Sequence, residues 1–85
     1  MSARDYKIRF AGPEKLRALQ DIFNMAWQEI SARDHRRMND ENANWLRSEL
    51  AEAIMSIGHQ EPMLVEEVIM KRIRRGSFQR RLYAA

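Results

Sequence analysis

Between residues 13 and 75 the apolar positions recur every three or four residues, the period of a helix buried along one face. The clearest stripe is Ala43, Leu46, Leu50, Ala53 and Ile57, widened by Ile54, and it places a helix from about Glu41 to Ile57. Asn39 or Asp40 can cap its start, because a short side-chain oxygen accepts from the free amides of a first turn. Gly58 stands where a left-handed residue commonly closes a helix, and Pro62 can open the next one. Upstream, Gly12-Pro13 starts a helix whose stripe is Leu16, Leu19, Ile22, Phe23, Ala26, Trp27 and Ile30. Fraying is expected between Ser31 and Arg37, where the chain turns charged and Arg36 and Arg37 complement a helix C-terminus.

The third helix runs from Pro62 to about Arg75. Leu64, Val65, Val68, Ile69 and Ile73 fall within an arc of about 180° that also takes in Arg72. That is more apolar surface than a three-helix core uses, so an N-terminal segment or a second subunit is expected to cover the remainder. Tyr6, Ile8 and Phe10 alternate with charged residues at the period of a half-buried strand, and the rest of the chain offers no second strand to pair with it. It either lies extended across the helices or pairs with its copy in a dimer. Beyond Gly76 and Ser77, Phe78 and Leu82 stand four apart, which fits a short docked helix or an end that orders on contact.

The fold class that follows is all-α: a small three-helix bundle with an extended N-terminal segment and a basic C-terminal tail. One domain spans 1–85, with an arm at 1–12, a core at 13–75 and the tail at 76–85. Leu19, Phe23, Trp27, Leu46, Leu50, Ile54 and Ile69 are expected to meet in the core. Eighty-five residues make a thin core, in which one deleted side chain matters.

Charge changes the picture more than composition does. The net charge of +3 divides into nine basic and twelve acidic residues over 1–70 and six basic residues with no acid over 71–85. A basic end on an acidic body favours an acidic partner for that end, whether nucleic acid, an anionic membrane surface or an acidic protein, the alternative being a solvated, partly disordered end. The candidate contact set is Lys71, Arg72, Arg74, Arg75, Phe78, Arg80 and Arg81, with Phe78 or Tyr83 stacking on an unpaired base. Glu61, Glu66 and Glu67 open the third helix, where a groove-reading helix would meet phosphates, which argues against major-groove readout. Methionines at 25, 38, 55, 63 and 70 and the wide apolar face of the third helix point instead to self-association or a helical partner.

Catalytic chemistry finds few groups. No cysteine is present, which removes thiol nucleophiles, disulfides and thiolate metal sites. Ser31 and His35 are four apart, but Asp34, adjacent to the histidine, points about 100° away on a helix and cannot orient its imidazole. His59 with Glu61, or His35 with Asp34, lacks metal-ligand spacing, and Asn39-Asp40-Glu41-Asn42 lacks the glycine and terminal acid of a calcium loop. Gly12, Gly58 and Gly76 are isolated, so no phosphate-cradling loop exists. No enzyme activity, cofactor or metal is expected. With no signal-peptide core and no apolar run near 18 residues, the expectation is a cytoplasmic protein with no membrane span.

The sequence Leu50-Ala51-Glu52-Ala53-Ile54, followed by Gly58, Glu61-Pro62 and Leu64 and preceded by Ala26-Trp27, resembles a loose group of small uncharacterised bacterial helical proteins. The resemblance covers about half the chain and implies a small helical fold with no catalytic residue. Glu61 stands where an aspartate is more typical of that group. The expected function is a non-enzymatic protein-binding or self-associating module, with accessory nucleic-acid binding through residues 71–81 as the alternative.

Overall fold

A computed structural model describes residues 12–83, the side chains of Arg81 and Tyr83 excepted. Three α-helices form the bundle: α1 (Pro13–Asp34), α2 (Asp40–Ile57) and α3 (Pro62–Arg74). Two 3-10 turns, His35–Arg37 and Arg80–Tyr83, follow α1 and α3, and no strand occurs among the described residues. The small all-α three-helix bundle expected from the sequence is the fold observed. The expected extended segment over residues 6–10 lies outside the described residues.

Pro13 opens α1, and the Gly12 carbonyl accepts from the amides of Lys15 (3.0 Å) and Leu16 (3.2 Å). The helix continues to Asp34 instead of fraying at Ser31. Its inward positions stay buried through Leu19, Ile22, Ala26, Ile30 and Asp34, so the last turn packs as firmly as the earlier ones. At the start of α2, Asn39 is the cap: its Oδ1 accepts from the Asn42 amide at 2.8 Å. The Asn42 side chain donates to the Arg37 carbonyl (2.8 Å) and accepts from the Trp45 indole N–H (3.2 Å), tying the first 3-10 turn to α2. Gly58 is right-handed (φ −65°, ψ −12°), contrary to expectation. The turn closes through Gly58 N–H to Met55 O (3.3 Å) and Gln60 N–H to Ile57 O (3.0 Å), so no left-handed residue is needed there.

Short connections send α2 back along α1 and return α3 parallel to α1. Two hydrogen bonds mark this register: Lys15 Nζ donates to the His59 carbonyl and Arg33 Nη1 to the Ile73 carbonyl, each at 3.0 Å. The core takes Leu19, Ile22, Ala26 and Ile30 from α1, Leu46, Leu50, Ala53 and Ile54 from α2, and Val65, Ile69 and Ile73 from α3. Phe23 and Trp27, expected among the core residues, are half-buried and pack against its edge. At 100° per residue, Ile22, Ala26 and Ile30 hold the middle of the inward arc and rotate Phe23 and Trp27 outward. The Arg47 guanidinium covers the Trp27 ring at 4.8 Å.

The left-handed glycine is Gly76 (φ +74°). Its amide donates to Ile73 O and that of Ser77 to Arg72 O, both at 3.0 Å, the paired bonds that end a helix and reverse the chain. The reversal delivers Phe78 and Leu82 into the core. Residues 76–82 are therefore a docked segment and not a free tail, because two apolar side chains four apart bury together.

Leu50 has no exposed surface. Leu50→Ala is expected to lower unfolding free energy by about 2–5 kcal/mol, a large share of the total for a domain this size. Denaturant titration checks it, and an unchanged midpoint would remove Leu50 from the centre of the packing.

Candidate functional site: a basic end and an apolar flank

The basic residues of the C-terminal third divide by environment. Arg72 is half-buried with its guanidinium 4.3 Å from the Phe78 ring, and it borders a depression of about 200 Å³ with Glu49 and Glu52. Arg74 Nε donates back to the Met70 carbonyl at 3.4 Å. Lys71, Arg75 and Arg80 are exposed, and the side chain of Arg81 lies outside the described residues. Lys71, Arg74 and Arg75 line a shallow depression of about 410 Å³ whose far wall is Glu67. Phe78 is 2% exposed beneath Arg72, so it offers no face for a base to stack on. That corrects its place in the expected contact set: the position four before Leu82 serves packing.

Tertiary structure adds three arginines. Because α1 and α3 are parallel, their C-termini share one end of the bundle, and the Arg33–Ile73 bond joins them directly. Arg33, Arg36 and Arg37 thus stand at the same end as residues 71–80. Along the sequence Arg36 and Arg37 relate only to the end of their own helix. The usable signal was that an up-down-up bundle brings the ends of its first and third helices together. Residues 33–41 and 71–80 carry eight basic and three acidic side chains, a balance of +5. Toward the other end, residues 13–23 and 48–67 carry two basic and seven acidic side chains, a balance of −5.

A buried amide sits at the junction. Gln79 is 2% exposed; its Nε2 reaches the Ile73 carbonyl at 3.5 Å, and its Oε1 has no hydrogen-bond partner among the described residues.

Exposed large apolar side chains occupy the rest of the molecule. Met63 is 80% exposed and shares a groove with Met25 of α1, while Leu64 and Val68 are exposed on another side of α3. Ala18, Ile22 and Met25 with Pro62 and Met63 form a groove of about 300 Å³ between α1 and α3. A second groove, about 280 Å³, lies between α1 and α2 and is walled by Leu16, Phe23, Ile54 and Met55. None of the large exposed apolar residues falls within 33–41 or 71–80. The two surfaces are segregated.

His35 follows the end of α1, while the His59 carbonyl meets Lys15 near its start, so the two exposed histidines stand at opposite ends of the bundle. Among the described residues no three His, Cys, Asp or Glu side chains group as metal ligands. No described helix is long and apolar enough to cross a membrane.

Fold and surface together define a small three-helix bundle with a basic end and an apolar flank. No family model, no curated protein and no solved structure matches this chain.

Replacing Gln79 by methionine removes a buried carbonyl without a partner and gives up only a long hydrogen bond. Gln79→Met is expected to leave stability unchanged or raise it by about 1 kcal/mol, since an unsatisfied buried polar group costs about that much or more. A thermal melt reads the sign, and a marked loss would mean that the Oε1 is satisfied in solution.

Proposed function

We propose that this chain is a non-enzymatic helical module of the cytoplasm that works by binding, and that its first partner is a second copy of itself. The observation that carries this is the exposed apolar surface of α3: Leu64 and Val68 one turn apart, and Met63, 80% exposed, about 100° around the helix from Leu64. On a helix of 13 residues that already buries Val65, Ile69 and Ile73, these side chains are surplus to the monomer core. Flexible methionine side chains at 25, 55 and 63 suit an adaptable apolar contact.

Charge order favours a copy of the chain over an unrelated helix. Along α3, Glu67 precedes Lys71 and Arg74, so an antiparallel second α3 sets acid against base on both sides of a two-fold axis. One exposed helix face buries less than a standard interface, so the association is expected to be weak and concentration-dependent.

Light scattering on a size-exclusion column over a wide range of loading concentrations tests this. The mass should rise from monomer toward dimer as concentration increases, and Met63→Glu with Leu64→Glu should hold the chain monomeric without lowering its melting temperature. A constant monomer mass at every concentration would end the self-association reading.

A further inference from the structure

We propose that the basic end of the bundle binds the phosphodiester backbone of duplex nucleic acid, through Arg36, Lys71, Arg75 and Arg80. This goes beyond self-association and rests on a different part of the molecule.

Several cations at this end already have structural work. Arg33 caps the α3 carbonyl of Ile73, Arg72 lies on Phe78, and Arg74 bonds the Met70 carbonyl. Arg37 also has an intramolecular partner. Two parallel helix C-termini present partial negative charge here, roughly half a charge each, and a few cations suffice to offset it. Arg36, Lys71, Arg75 and Arg80 are exposed and surplus to that role. The acids nearby are fewer than the cations: Asp34 is buried, Asp40 and Glu41 occupy the first turn of α2, and Glu67 shares the depression lined by Lys71, Arg74 and Arg75.

The acidic half of the bundle does not cancel this potential. The 22 residues of α1 span about 33 Å, several times the Debye length of about 8 Å at physiological salt. A ligand approaching the basic end meets a net positive field.

Three observations select the ligand. The surplus set is mostly arginine, whose planar fork matches phosphate oxygens two at a time. The large exposed apolar side chains lie elsewhere, so this end carries none of the apolar insertion that holds a helix in a lipid surface, and no apolar centre for a protein interface. Phe78 is buried and offers no platform for the bases of a single strand, and the side chain of Tyr83 lies outside the described residues. What remains is electrostatic contact with the ligand of highest linear charge density, a duplex backbone, without base readout.

The test is fluorescence anisotropy of the full chain with a labelled random-sequence duplex across a salt series. Four phosphate contacts predict a slope of log K against log salt of about −3.6, with a dissociation constant of about 1–100 μM at physiological salt. The triple variant Arg36→Gln, Arg75→Gln, Arg80→Gln should bind about tenfold more weakly or worse and reduce the slope to about −1. Arg17→Gln, at the other end, should leave both unchanged. All three substituted side chains are exposed, so the melting temperature should hold; the wild-type slope tests the idea even if it does not.

A slope near zero, or an undiminished triple variant, would overturn the proposal. So would single-stranded DNA binding tighter than duplex, which would mean that aromatic contact governs. Polyglutamate or anionic vesicles binding as tightly as duplex would likewise overturn it by showing no preference for the phosphodiester backbone.

Discussion

The carbonyl oxygen of Ile73 is the point at which the whole C-terminal end of the bundle is held. It accepts from the Gly76 amide at 3.0 Å, from Arg33 Nη1 at 3.0 Å and, more distantly, from Gln79 Nε2 at 3.5 Å. A carbonyl in the last turn of a helix has lost its intrahelical donor and must find others. Here the donors come from the reversing chain, from α1 and from the docked segment. The Ile73 side chain meanwhile has no exposed surface. One residue thus links the core to the end of both parallel helices.

Charge segregation follows from that register. Parallel α1 and α3 bring two negative helix ends together, and basic residues in the last turns of each helix complement them. Each helix taken singly has an ordinary basic C-terminus. Placed side by side they sum to a patch of +5, while the helix starts and the second half of α2 sum to −5. The same topology sends Met63, Leu64, Leu16 and Met55 toward the acidic half, so apolar contact and polyanion contact are offered by different parts of one small surface.

The docked segment shows how local grammar and packing combine. Gly76 can take φ +74° without a Cβ penalty, which reverses the chain within two residues of α3. The turn alone would leave a loose end. Phe78 and Leu82, both buried, anchor it, and Arg72 covers the Phe78 ring. Hence the segment that looks in sequence like a charged tail closes the core and presents Arg80 from a fixed position.

Hydrophobic period, proline and glycine placement and the Asn39 cap are local properties, so three helices, their approximate bounds and most of the buried residues were legible in the chain itself. The surplus apolar face of α3 was legible for the same reason: counting positions around one helix requires no neighbour. Which of the neighbouring positions 22 and 23, or 26 and 27, lies innermost was not. Phe23 and Trp27 share the inward arc with Ile22, Ala26 and Ile30, and only the azimuth of α2 and α3 places the larger rings at the rim. Nor was the union of Arg33, Arg36 and Arg37 with residues 71–80 legible, because it depends on contacts across some forty residues of chain. Periodicity specifies the elements; packing decides which helix ends become neighbours, and with them where charge accumulates.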